Sequence, residues 1–556
     1  MEHKLLNRAA MRIMVIKGNC SLKRLARSSR APMEQNAALL KKIIRANKNT
    51  EFGRAHHFSE IRSIEDFRKN VPISAYEDYA PYLERMKNGE NNVLTSSKVL
   101  GFSRTSGSSG VPKYIPATSA SLKAYVRYTW TRALALGAQE MKRQGKRYRP
   151  GRGVFLSPAT NETLPNGMLC SNIAEIGARQ YGRFYPYILT LPTGRLFDVH
   201  DGDYIYCICR WALADPDVTF FFSVFFSLNV IQLAYLKKNW QMIVDDIEKG
   251  EISPCVELKP EVRADLIKRI RPMPERAKYL RAQFEQGFDE TLFKRIWPNL
   301  AVICSIGNAS FQSAAEYVRS LAQGIPFDFS IYGASEGLVA AVPQLETTDM
   351  QLLTDSCFYE FIRSGNDGGT ALTLDQLQVG EKYEILITTQ AGLYRYHLKD
   401  VLEVRGFCGA CPLISFVYRK GQLFNIAGEK FSEEDARTTI DMFGKAHGVT
   451  IDNWYFYQDE SVHPNRYSLV VESDADIDWD ACIDELEDYM GQCNKRYVGQ
   501  REKSFIDRLI VQKQAPGTHA AWAERCVSLG ASAGQVKPVH SLDTPEKREF
   551  FLSRIQ

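Results

Sequence analysis

Apolar and polar positions change rhythm several times along this chain. Residues 35–48, QNAALLKKIIRANK, carry apolar side chains at helical spacing and predict a helix that ends before Asn49-Thr50. Short apolar, β-rich runs then recur: RGVFLSP near 152–158, VTFFFSVF at 218–225, LAVICSIG at 300–307, FDFSIYG at 327–333 and YEILITT at 383–389. Helical patterns separate several of them, such as SAAEYVRSLAQG at 313–324. Apolar strands alternating with helices predict an α/β layer architecture.

Val218–Leu236 needs separate treatment, because its 19 residues carry no charge and are long enough to span a bilayer. The first half is aromatic and β-branched, while Asn229 and Gln232 interrupt the second. The pattern predicts a buried strand over 218–225 running into a helix from near Ser227, and no membrane span.

After about residue 420 the texture changes. SEEDARTTIDMFGKAHG opens with Ser432 as an N-cap and acids in the first turn. Strands at 454–458, 467–473 and 507–512 and a helix at 479–493 follow. The expectation is a large N-terminal domain, residues 1–420, and a smaller α+β domain, residues 421–556, with the boundary near Arg419-Lys420-Gly421.

Composition adds exclusions. The chain has 556 residues, 44% of them hydrophobic and 24% charged, with a net charge of +5, too weak a bias to argue for nucleic acid. Its 12 cysteines form no framework, and no secretory hydrophobic region opens the chain, so reduced thiols in the cytoplasm are expected. Cys408 and Cys411 form a lone CxxC without a second pair or a His set. The basic N-terminus, residues 1–32, reads as a surface helix rather than a transit peptide.

The candidate chemistry begins at FSRTSGSSGVPKYIP, residues 102–116. A P-loop needs four residues between its glycines and a hydroxyl after the lysine. Here two residues separate Gly107 from Gly110, and Tyr114 follows Lys113. The loop Thr105-Ser106-Gly107-Ser108-Ser109-Gly110 still offers backbone N–H groups and hydroxyls to an anion, with Lys113 as a point charge; a plain polar connection is the alternative. Tyr332-Gly333-Ala334-Ser335-Glu336 ends an apolar strand. An aromatic there can stack on a purine, and a carboxylate at the mouth of a parallel sheet can hold magnesium; a turn with a solvated Glu is the alternative. Asp400, closing YRYHLKD, can accept hydrogen bonds from ribose hydroxyls, or be an ion-paired loop residue.

Taken in order, TSGSSGVPK, YGASE and the Asp of YRYHLKD resemble the signature loops of the adenylate-forming superfamily. VPISAYEDYAPYLERMKNGE (71–90), WPNL (297–300), CFYEF (357–361), GLYRYHLKDVLEVRGF (392–407), FVYRKG (416–421) and PGTHAAWAERCVSLGASAGQVK (516–537) more narrowly resemble the auxin-responsive acyl-acid amido synthetases of plants. The resemblance covers about residues 50 to 540. It implies an enzyme that adenylates a carboxylic acid with ATP and passes the acyl group to an amine, usually an amino acid. It also implies a luciferase-like large domain and a mobile C-terminal cap.

By that resemblance residues 105–113 cradle the ATP phosphates, Glu336 binds Mg2+, Tyr332 holds the adenine and Asp400 the ribose. Arg419 stands at the hinge and reaches ribose or phosphate, and Lys537 bridges the acid and the α-phosphate. The expected partners are small molecules met by a monomer, with no nucleic acid and no membrane. Transfer to coenzyme A or another acceptor, or a catalytically weak binding homologue, are the alternatives. Two departures stand out. His397-Leu398-Lys399-Asp400 replaces the plant Arg-Val/Leu-Gly-Asp, which puts nucleotide affinity in question if that Gly serves close approach. Pro538-Val539-His540 follows Lys537 where an aromatic-flanked Pro-Arg is usual.

Overall fold

A computed structural model describes residues 4–106, 112–157, 162–191, 201–307, 312–364, 369–419, 424–451, 453–528, 539–542 and 545–556. The chain divides into two compact units, one built from Met1–Thr105 and Pro112–Tyr418, the other carrying Arg419–Gln556.

The first unit contains three sheets. The strands Gly153–Leu156, Phe220–Phe225, Val302–Ile306 and Phe327–Asp328 lie side by side in that order, all parallel. Their near-continuous burial is what a sheet covered on both faces requires. The charge-free stretch at 218–236 divides between the strand Phe220–Phe225 and the helix Phe226–Lys249. Among the described residues no helix is long and apolar enough to cross a membrane.

The second sheet has seven strands: Cys357–Arg363, Lys382–Thr389, Tyr396–Cys408, Cys411–Arg419, Met350–Leu352, Gly337–Ala341 and Ile331–Ala334, in that order. The run at 327–333, read as one strand, is in fact two in different sheets. The chain turns at Ser330, whose φ is 63°, and the turn is pinned by the fully buried Arg132. Its guanidinium donates to Asp328 Oδ1 at 2.9 Å, to the Ser330 carbonyl at 2.9 Å and to the Val342 carbonyl at 2.8 Å.

The third sheet orders Pro112–Thr118, Val99–Ser106, Leu169–Ser171 and Glu162–Thr163. The strands on either side of residues 107–111 are therefore neighbours in this sheet.

The N-terminal helix Lys4–Ser28 buries Met11 and Leu25 while leaving Leu5 and Ile13 exposed. A Cβ at Gly18 would fall 1.8 Å from the Thr131 carbonyl oxygen, so only glycine allows this helix to meet the helix Trp130–Arg143 so closely.

In the second unit, Asn453–Asp459, Arg466–Glu472 and Asp507–Lys513 form a sheet, the first pair antiparallel and the second parallel. Ser432 caps the helix Glu433–His447 in a capping box with Asp435, and Gly448 ends it in the left-handed conformation. The CxxC pair straddles the tight turn between Tyr396–Cys408 and Cys411–Arg419. Both thiols are free, and burial pushes that of Cys411 up to about 12.

Candidate active site

Three separate stretches of sequence converge in the first unit. Ser335 and Glu336 form the two-residue turn between Ile331–Ala334 and Gly337–Ala341, a β-hairpin of the seven-stranded sheet. This corrects the reading of Glu336 as standing at the mouth of a parallel sheet. The apolar run before it suggested a buried parallel strand, but the turn at Ser330 carries the chain into the antiparallel sheet first. The hairpin contains a bulge. Leu338 pairs with Gly333 and Ala340 with Tyr332, so Val339 is the extra residue, which twists the pair locally.

Asp400 is positioned by a second irregularity. Pairing of the neighbouring strands runs Glu384–Val401 on one side and Leu386–His397 on the other, so residues 398–400 face a single partner, Ile385. Lys399 sits in this bulge with φ 62° and an exposed side chain, whereas Asp400 is 1% exposed. The backbone at position 399 is left-handed, a conformation glycine adopts without strain, so the glycine expected here by the family resemblance needs no close approach to explain it. The lysine accepts the same conformation at a cost and points its charge to solvent.

The Tyr332 hydroxyl donates a hydrogen bond to Asp400 Oδ2, in a buried pair separated by 68 residues of sequence. The Phe416 ring lies 6.1 Å from that of Tyr332. The Tyr396 hydroxyl donates to Glu336 Oε1 at 3.4 Å, and Glu336 is itself buried. Tyr125 donates its hydroxyl to the Ala334 carbonyl, and burial raises its phenol well above the ordinary value. Ser103, on the strand that leads into the Gly/Ser loop, donates to Ser335 Oγ at 2.8 Å. The loop strand, the YGASE turn and Asp400 are thus stitched together by hydroxyls.

The 392–400 segment is itself clamped. Tyr79 donates to the Tyr394 carbonyl at 2.6 Å and accepts from the Tyr394 amide at 2.9 Å, and burial pushes its phenol up to about 12. Ser74 exchanges backbone hydrogen bonds with Arg395 and His397 at 3.1 and 2.8 Å. Arg395 has φ 48° and sends its guanidinium to both oxygens of Glu360, which is 1% exposed and also binds Arg68. The 71–79 stretch and the 392–400 stretch therefore form one structural piece.

The sites predicted from sequence fare unevenly. Tyr332, Gly333, Ala334, Ser335, Glu336 and Asp400 come together. Lys113 has its ammonium 5.2 Å from the Tyr76 ring centroid, and Tyr76 also accepts from the Tyr114 amide at 2.9 Å. Thr105 and Ser106 end the strand Val99–Ser106, while Gly107, Ser108, Ser109 and Gly110 lie outside the described residues. Arg419 ends the strand Cys411–Arg419 and belongs to the second unit; Lys537 lies outside the described residues. Just beyond Lys537, His540 is buried, its ring stacked 4.1 Å from that of Trp454 and Nδ1 3.1 Å from the Trp454 carbonyl.

Sequence reasoning missed Ser103, Tyr125 and Tyr396. No local signal marked them, since each meets its partner only after folding.

Models of the GH3 family match this chain in three consecutive pieces: the N-terminal domain over residues 21–327, the central domain over 350–419 and the C-terminal domain over 434–546. The indole-3-acetic acid-amido synthetase GH3.8 of Oryza sativa subsp. indica is 27% identical, covering 93% of this chain and 89% of its own. The 4-substituted benzoates-glutamate ligase GH3.12 of Arabidopsis thaliana is 26% identical over 90% and 91%. The jasmonoyl-L-amino acid synthetase JAR6 of Nicotiana attenuata is 25% identical over 90% and 89%. Among solved structures, the AtGH3.15 acyl acid amido synthetase in complex with 2,4-DB superposes with a TM-score of 0.67 at 21% identity, covering 97% and 96%. With the family matched from residue 21 to 546 and the fold shared end to end, the chain belongs to the GH3 family.

Proposed function

We propose that this protein adenylates a carboxylic acid with ATP and then passes the acyl group to an amino acid, releasing pyrophosphate and AMP. Family membership supports the reaction class. The observation that carries the assignment of residues is the Tyr332–Asp400 hydrogen bond, which joins two motifs far apart in sequence at one buried point.

The first step sets an anionic carboxylate against an anionic phosphate, so catalysis consists largely of placing cations and oriented donors. Asp400 holds the ribose hydroxyls. Tyr332 orients that carboxylate and offers its ring to the adenine. The residues from Thr105 to Lys113 bind the departing pyrophosphate. Glu336 fits a magnesium ion, since a hard cation takes one or two carboxylates plus phosphate oxygens, and Tyr396 fixes one oxygen of this buried carboxylate at 3.4 Å. A magnesium ion held by Glu336 would neutralise phosphate oxygens. By the family resemblance Arg419 and Lys537 are the further candidate cations, Lys537 for the α-phosphate. In the second step the amine attacks the acyl carbonyl and AMP leaves.

The acid is of the indolyl, benzoic or jasmonate type named for the relatives, and the acceptor is an α-amino acid. The 11 cysteines described are all free, which fits a reducing compartment such as the cytoplasm.

The test is ATP–pyrophosphate exchange over a panel of indolyl, benzoic and jasmonate-type acids, followed by mass detection of product with amino acids or coenzyme A added separately. Exchange that vanishes in Lys537→Ala and Glu336→Ala, followed by an amide product, is expected. An acyl-CoA product without amide would overturn the acceptor assignment. ATP binding with no exchange for any acid would overturn the enzyme reading.

A further inference from the structure

We propose that His447, Cys482 and Glu485 form a binding site for a zinc-type divalent cation in the second unit. They are the one group of its kind among the described residues, their ligand atoms all within 4.8 Å of one another. His447 is the last residue of the helix Glu433–His447, and Cys482 and Glu485 flank the start of the helix Ile483–Cys493. Thirty-four residues separate His447 from Cys482 in sequence, so tertiary packing builds the cluster, with no spacing motif to announce it.

The surroundings orient the donors. The His447 ring stacks on Phe443 with centroids 4.3 Å apart and planes 27° apart, and Phe443 stacks in turn on Trp479. Imidazole Nε2 lies 2.9 Å from Glu485 Oε2, and the Tyr489 hydroxyl donates to Glu485 Oε1 at 2.8 Å. A carboxylate fixed through its outer oxygen by a phenol is the arrangement that tunes metal ligands from the second coordination sphere.

The chemistry of the donors selects the ion. One imidazole, one thiol and one carboxylate suit zinc or cobalt(II), whereas magnesium and calcium take oxygen ligands. Zinc at about 2.0–2.3 Å from each ligand needs the donors roughly 3.5 Å apart. The His–Glu pair must open slightly and Cys482 close in, movements within side-chain reach. Three protein ligands leave a fourth position for water. The carboxyl end of the first helix favours a cation at His447, and the amino end of the second favours a thiolate at Cys482. Binding displaces the thiol proton: Cys–SH and the cation give the cation-bound thiolate and one H+. The alternative is that the His447–Glu485 hydrogen bond merely clasps the two helices and the thiol is incidental.

Cobalt(II) chloride titrated into the chelator-treated full chain decides between them. The expected result is a saturable thiolate-to-cobalt charge-transfer band at one ion per chain, bleached by zinc and untouched by excess magnesium. Cys482→Ser removes the band, and His447→Gln weakens cobalt binding by about tenfold or more. Zinc raises the melting temperature of the parent chain but of neither variant. Should Cys482→Ser fold poorly, the affinity loss in His447→Gln carries the test. A band that survives Cys482→Ser, the absence of saturable binding, or unchanged affinity in His447→Gln would overturn the site.

Discussion

If the Tyr332–Asp400 pair serves ATP, removing one hydroxyl should weaken nucleotide use while leaving the fold intact. Tyr332→Phe keeps the ring, and with it any stacking on adenine, but deletes the donor to Asp400 Oδ2. Asp400 is 1% exposed, so the hydrogen bond is of the charge-assisted, buried kind, worth about 1.5–3 kcal/mol. Carried fully into recognition of ATP, that range corresponds to about 10- to 150-fold in kcat/KM for ATP. Asp400→Asn loses the charge that the ribose hydroxyls address, and then the phenol has little left to orient. Tyr332→Phe should therefore have a small effect in the Asp400→Asn background, giving a coupling of about 1.5 kcal/mol or more in a double-mutant cycle. The assay is pyrophosphate exchange at varied ATP for the four proteins, with melting temperatures as controls. Effects that add to within about 0.5 kcal/mol would refute the argument, because residues acting through one contact do not add. A Tyr332→Phe variant with unchanged ATP kinetics would refute it more simply.

Three other outcomes follow from the same geometry. Lys399→Gly should raise stability by up to about 1 kcal/mol, since the left-handed conformation penalises a side chain and glycine's extra freedom when unfolded offsets only part of the gain; unchanged or lower stability by thermal melting would show that Lys399 makes a compensating contact. Glu360→Gln should cost about 3–5 kcal/mol, because it leaves the buried Arg395 without its counter-charge, and it should also raise the KM for ATP by loosening the 392–400 clamp; denaturant melts read the first effect and exchange kinetics the second. Asp289 is held down at about 2, first by its hydrogen bond from Arg295 and then by Thr291. A folded value below the unfolded 3.8 stabilises the protein above that pH and the gain is lost as pH falls toward 2, so the stability gap between parent and Asp289→Asn should narrow over that window.

Much of this architecture was legible from hydrophobic periodicity, and what was not has common physical causes. Runs such as VTFFFSVF and LAVICSIG are apolar on both faces, which suits only a covered parallel sheet, and they occupy one. FDFSIYG looked the same and was misread as a single strand, because the break at Ser330 depends on Arg132, nearly two hundred residues earlier, and no local signal announces it. The site shows the same division. Residue types named Tyr332, Glu336 and Asp400, but the hydroxyl network that joins them is made by Ser103, Tyr125 and Tyr396, whose roles exist only after folding. Lys399 is the sharpest case. By sequence a lysine where the family resemblance leads one to expect glycine reads as a threat to the nucleotide site; in the structure it is a backbone matter, met by a bulge that turns the lysine outward and Asp400 inward. A substitution inside a motif can thus fall on a position whose demand is conformational. Here position 399 makes a conformational demand, and its neighbour Asp400, the residue proposed to meet the ribose, keeps a buried position and a hydrogen bond from Tyr332.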